Sequence, residues 1–180
     1  MPTPTLPDFT LSDQFGHTHD RAALRGRPCV VVAAGRAGAA RLGPWTEALT
    51  RALRSAAPPP PAGVPAIVPV LAISGVPRLL HGTIARRLPR DPAAWVALDW
   101  GGAFRALLDG SDGACAVLLF DPHGRLRRRV VVDALDDGLI AELVGALAAF
   151  GAPAAGDAAG DAAGDVSGAG PGDEPGDAAR

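Results

Sequence analysis

Six consecutive apolar residues, Cys29-Val30-Val31-Val32-Ala33-Ala34, restrict the possible folds of this chain more than any other stretch. The run does not alternate, its middle is β-branched, and Pro28 and Gly35 punctuate its ends. A strand that is apolar at every position is buried on both faces, which makes it a central strand of a sheet covered on both sides. Gly35-Arg36-Ala37-Gly38-Ala39-Ala40-Arg41 then reads as a glycine-containing turn opening a helix. Where folds use such a unit for chemistry, the reactive groups sit on the turn. This turn carries no cysteine, serine, histidine or carboxylate.

The remaining elements follow from pattern. Leu6 to Asp20 alternates apolar and polar residues around Asp13-Gln14-Phe15-Gly16, the signature of a hairpin. Asp20 is placed to cap a single helical turn through Leu24, ended by Gly26. Leu42, Trp45, Leu49, Ala52 and Leu53 recur at helical spacing, with Pro44 near the start of that helix. Ala57 to Gly63, with four consecutive prolines, is expected to be a stiff polyproline crossover loop. Ala66 to Ile73 reads as a second apolar strand, where Pro69 argues against full pairing on both sides. A helix is expected over Pro77 to Leu88, a short strand over Trp95 to Leu98, and a short helix carrying Phe104, Leu107 and Leu108. Ala114 to Phe120 is another buried strand. Asp121-Pro122-His123-Gly124 is a tight turn leading to a partner strand, Leu126 to Val132. A closing helix carries Leu139, Ile140, Leu143, Val144, Leu147 and Phe150, with Asp136 or Asp137 as its cap. This order predicts an α/β fold with a mixed sheet and helices on both faces.

Charge separates the C-terminal end from the rest. Residues 151–180 are Gly, Ala, Asp and Pro with little else, and hold six acidic residues against one arginine, a net −5 that leaves residues 1–150 at +3. Such a segment lacks the apolar surface to offset its ordering entropy, so a disordered acidic tail is expected beyond a single domain of residues 1–150. The whole chain is near neutral, at −2, which gives no reason to expect nucleic acid as a partner. All 17 basic residues are arginine and tyrosine is absent. No signal-peptide pattern opens the chain, and no apolar run approaches the roughly 20 residues that span a bilayer. A cytoplasmic protein with reduced thiols and no membrane association is the expectation.

Leu6-Pro7-Asp8-Phe9-Thr10-Leu11, Asp13-Gln14-Phe15-Gly16 and Leu24-Arg25-Gly26-Arg27-Pro28 lead into the central strand, and Leu119-Phe120-Asp121-Pro122-His123-Gly124-Arg125-Leu126 precedes the closing helix. In order and spacing these stretches resemble the peroxiredoxin and TlpA-like branch (alkyl hydroperoxide reductase/thiol-specific antioxidant) of the thioredoxin-fold superfamily, over residues 6–150. The resemblance implies a CxxC at the strand-to-helix turn, where the helix start favours the thiolate. Those two positions fall near Gly38 and Arg41, neither of which is a nucleophile. No peroxidatic cysteine stands nearby, and the cysteines and histidine of copper-handling relatives are not supplied. The family's cis-proline, in the loop before the later strand, aligns with Cys115, where a cis bond would cost about 2.5–4 kcal/mol. The resemblance therefore implies the scaffold with a degenerate active site.

Other candidates have plain explanations beside functional ones. Cys115 near the vacant turn is a candidate redox thiol, against the commoner outcome of a small buried hydrophobe. Cys29 opens the central strand and is expected in the core. His17 and His19 share a strand face, a spacing that suits a metal, yet no third ligand is identifiable; a solvated hairpin tip is expected. His81 and His123 read as surface residues. Arg125, Arg127 and Arg129 share a face of an edge strand, which charge protects from further pairing. Arg36, Gly38 and Arg41, with the helix start, make a candidate small-anion site, although the turn is neither G-x-G-x-x-G nor a phosphate loop.

We therefore expect a peroxiredoxin-like module without thiol machinery, a non-catalytic interaction or structural module whose partner, in the first case, is an unknown protein, and which needs no cofactor or metal. A single-thiol oxidoreductase or peroxidase using Cys115 and a small-anion site at Gly35–Arg41 are the alternatives.

Overall fold

A computed structural model of the chain describes residues 4–56, 66–108 and 113–151. Seven strands form one sheet: β1 (Thr10–Asp13), β2 (Thr18–Asp20), β3 (Cys29–Ala34), β4 (Ala66–Ala72), β5 (Ala97–Asp99), β6 (Cys115–Phe120) and β7 (Leu126–Val131). Their spatial order is β2-β1-β5-β4-β3-β6-β7. The β3–β4 and β4–β5 pairs are parallel and the others antiparallel, so the sheet is mixed, as expected. Three α-helices accompany it: α1 (Leu42–Ser55), α2 (Arg78–Ala85) and α3 (Asp137–Gly151).

The apolar run Cys29–Ala34, now β3, is the centre of the molecule. Every residue of β3 is at most 1% exposed, and its side chains alternate between two cores. Val30, Val32 and Ala34 join Cys115, Val117 and Leu119 under α1 and α3. Cys29, Val31 and Ala33 join Ala116, Leu118 and Phe120 on the other face. Full burial of each valine contributes about 1.5–3 kcal/mol before entropy is counted. The first face is closed by Leu42, Trp45, Leu49 and Leu53 of α1 and by Ile140, Leu143 and Leu147 of α3. The second is closed by the N-terminal segment (Leu6, Phe9) and by the 3-10 helices Arg21–Leu24 and Arg105–Leu108, with Phe9 and Phe104 in ring contact at 5.3 Å.

Local chemistry sets the ends of these elements. Asp20 accepts a hydrogen bond from Ala23 N, and Gly26 turns at φ 72° where other residues are strained. Asp136 accepts from Leu139 N and caps α3. Asp99 is fully buried and accepts from Gly102, Ala103 and Phe104 N at 2.7–3.0 Å, which seats Phe104 in the second core.

The expectation at Pro69 holds: β4 lies between two strands, but β5 joins it only from Val70 to Ala72, so β3 alone flanks Pro69. Other expectations need correction. α2 ends at Ala85 instead of Leu88, and β5 runs over Ala97–Asp99 instead of Trp95 to Leu98. β7 is an edge strand, but its arginines have individual partners. Arg127 binds the buried Asp121, Arg128 forms a two-pronged pair with Glu142 of α3, and Arg129 donates to Leu107 O. The polyproline connector and the acidic tail lie outside the described residues. Among those described, no helix is long and apolar enough to cross a membrane.

Candidate functional site

The turn after β3 does not enter the α-helix directly. Arg36–Arg41 forms a 3-10 helix, and α1 begins only at Leu42. Gly38, near the first position that the resemblance assigns to a thiol, is buried inside this segment. A β-carbon on Gly38 would lie 2.6 Å from the Ala114 carbonyl oxygen, 3.0 Å from its carbon and 3.3 Å from Gly113 O. These contacts are all backbone, so no side-chain movement relieves them. The Ala114 carbonyl is itself held, because Gly35 N donates to it at 3.0 Å. The loop before β6 thus lies directly against the turn.

Arg41, near the second such position, ties three segments together. Its Nε donates to Asp133 O at 2.9 Å and its Nη1 to Gly113 O at 3.2 Å, with Asp133 Oδ1 3.9 Å from Nη2. The guanidinium clamps the turn to the loops before β6 and after β7. Arg36 is exposed. For the anion candidate, the Gly35 and Gly38 N–H groups donate to Ala114 O and Gly35 O, and Arg41 is engaged as described.

Cys115 is the first residue of β6, opposite Ala34, and is fully buried in the first core. The residue against the turn is Ala114, one before it, and that single step moves the thiol into the sheet. Burial pushes the Cys115 thiol up to about 11 from its ordinary value of 9.0, with the Arg41 charge pulling weakly the other way. Burial likewise pushes Cys29 up to about 12. The two thiols belong to opposite faces of the sheet and opposite ends of the β3–β6 pair, since Cys29 faces Phe120 and Cys115 faces Ala34. Five strand steps, roughly 16 Å, separate them, far beyond the reach of a disulfide. Both are free.

A polar cluster in the first hairpin escaped the sequence reading. Asp13 Oδ2 lies 3.1 Å from both His17 Nδ1 and His19 Nε2, while Oδ1 accepts from Phe15 and His17 N. Burial raises the Asp13 carboxyl, but these hydrogen bonds, the His19 ring foremost, outweigh it and hold the group at about 2. His19 also stacks on Trp95 at 4.3 Å. His17 is exposed as expected, whereas His19 is not a solvated tip residue. Among the described residues no group of three His, Cys, Asp or Glu could hold a metal ion. His81, expected on the surface, is half-buried and stacks on Trp100 at 3.7 Å; His123 is exposed.

A groove of about 880 Å³ runs from Ala39 and Leu42 along α1 to Arg54, floored by Pro69 and Leu71 and walled by Leu88 to Val96. Gln14 fastens that wall to the first hairpin, donating to Ala94 O and accepting from Val96 N.

No family model matches this sequence, and no curated protein matches it. Solved structures do. The exposed lipoprotein thioredoxin of Streptococcus pneumoniae aligns over 76% of this chain and 97% of its own, at 14% identity and a TM-score of 0.53. A thioredoxin-family thiol:disulfide interchange protein from Chlorobium tepidum aligns over 82% and 98%, at 12% identity and a TM-score of 0.51. BsSco, of the Sco family of cytochrome c oxidase assembly proteins, aligns over 81% and 94%, at 11% identity and a TM-score of 0.50. The fold is thioredoxin-like. Identities this low carry the fold and not the chemistry, and the peroxiredoxin branch is not singled out among these neighbours. Within the thioredoxin-like framework, the loop before β6 lies against the turn that opens α1, where Gly38 and Arg41 stand.

Proposed function

We propose that this chain is a non-catalytic thioredoxin-fold module acting through protein contact. One observation carries the reading: the backbone of Ala114 occupies the space that any side chain at position 38 would need. An attacking sulfur requires a β-carbon there, and 2.6 Å to a carbonyl oxygen leaves no room for one. The burial of both cysteines and their raised thiol values support the same reading, because the thiolate is the nucleophile. The groove beside α1, lined by Ala39, Leu42, Leu71, Trp95 and Val96, is a surface that can receive apolar side chains of a partner.

Disulfide-reduction and peroxide-consumption assays, comparing the chain with Cys115→Ser, test it. We expect no turnover above the uncatalysed rate in either protein. Native-state labelling at pH 7 with a thiol reagent should modify neither cysteine on the time scale that labels the unfolded chain completely. Turnover that disappears in Cys115→Ser would replace this reading with a single-thiol oxidoreductase.

A further inference from the structure

We propose that the acidic segment 152–180 docks within its own chain, on a cationic surface at the end of the sheet remote from the α1 turn. The surface surrounds a small pocket of about 240 Å³ lined by Leu6, Arg21, Leu24, Arg25, His123 and Gly124. Arg27 and Arg125 adjoin it in sequence, and Gly26 N donates to Pro122 O, which holds the two loops together. The acids nearby are mostly committed. Asp8 pairs with Arg21 at 3.2 Å, Asp20 caps Ala23, and Asp121 is buried against Arg127. Among the described residues Arg25, Arg27 and Arg125 have no ion-pair partner and are exposed.

Topology brings the acidic segment to this place. β3 begins at Cys29 and β6 ends at Phe120 on the same end of the sheet, where β7 begins at Leu126. α3 follows β7 and packs back along the sheet through Ile140, Leu143 and Leu147. Its 15 residues span about 22 Å, close to the length of β7, so the chain leaves Gly151 at the cationic end. Asp157, Asp161, Asp165, Asp173, Glu174 and Asp177 follow, with Arg180 the only base. Asp157 is six steps along the chain from Gly151, at most roughly 20 Å extended, which reaches across the end of the sheet. A net −5 opposite a body of +3 supplies the complementarity, and tethering gives an effective concentration on the order of millimolar, enough for contacts too weak to hold a free peptide.

The test uses the full chain carrying Ser167→Cys with a nitroxide, attached selectively because Cys29 and Cys115 are buried. At low salt, amide signals of residues 21–27 and 123–125 should lose most of their intensity, while those of α2 keep theirs. The loss should vanish near 1 M salt, where screening acts within about 3 Å. It should also vanish in the exposed-surface variant Arg25→Gln/Arg27→Gln/Arg125→Gln. A second variant, with the six tail acids changed to Asn or Gln, should behave the same way without touching the folded part. Uniform weak broadening at low salt, or patch broadening indifferent to both variants, overturns the proposal. Broadening that appears only between nitroxide-carrying and isotope-labelled molecules in a mixture overturns it in favour of contact between copies.

Discussion

A β-carbon on Gly38 would approach the Ala114 carbonyl oxygen to 2.6 Å, and the contact partner is backbone inside a seven-stranded sheet, not a flexible side chain. Gly38→Ala must therefore push the loop before β6 outward or shift the 3-10 segment, and either loosens the contact with Gly35 N. Overpacking of this kind costs about 1–3 kcal/mol, so the urea midpoint of Gly38→Ala should fall with its slope unchanged. An unchanged midpoint would mean the turn is looser than described, and would remove the main support for the non-catalytic reading. That position 38 is glycine was plain in the sequence. The reason was not, because the atom it must accommodate belongs to a residue 76 positions later. The same step along the chain explains Cys115: an alignment can place a cysteine beside a turn, but only the register of β6 decides which way it faces.

At the scale of elements, patterns confined to one segment were readable and pairings between segments were not. The apolar run of β3, the helical stripe of α1 and the Asp20 and Asp136 caps each rest on neighbours within a few residues. Pro69 argued against full pairing because a ladder needs its N–H, and β5 is indeed short enough to leave that residue alone; which neighbour stops short is what no local pattern reveals. The first hairpin is the sharpest case. Asp13 was visible only four residues before His17, yet it took the hairpin to put one carboxylate oxygen 3.1 Å from two imidazoles. Its folded value near 2 lies below its ordinary 3.8, so the ionised form stabilises the fold above about pH 4, and that contribution is lost as pH falls through about 2. Asp13→Asn should cost about 1–3 kcal/mol at pH 7, from the hydrogen bonds made by the charged group. The gap between variant and wild type should narrow below pH 3. Denaturant unfolding at pH 7 and pH 2.5 checks both parts, and an equal gap at the two values would mean that Asp13 acts only through its shape.

For the molecule as a whole, composition makes one measurement unusually clean. The chain has no tyrosine and no lysine, and arginine stays charged in any practical buffer, so its side chains that titrate between pH 9 and 12 are the two cysteines. Burial holds both as neutral thiols in the fold, Cys115 to about 11 and Cys29 to about 12, while in the unfolded chain they ionise from about 9.0. Above pH 9 the unfolded state therefore binds fewer protons than the folded one, and stability must fall as pH rises. Each thiol contributes a slope approaching 1.4 kcal/mol per pH unit, hence about 2 kcal/mol for Cys115 by pH 11. Chemical unfolding at intervals from pH 8 to 11 should show this decline in the wild type, about half the slope in Cys29→Ala or Cys115→Ala, and a flat line in the double variant. The single variants will start lower because each leaves a small cavity, so the slope and not the midpoint carries the information. A wild-type chain as stable at pH 11 as at pH 8 would require the thiols to ionise in place. That would mean that solvent reaches a sulfur which the packing of β3 against β6 excludes, and the case for an inert module would fail with it.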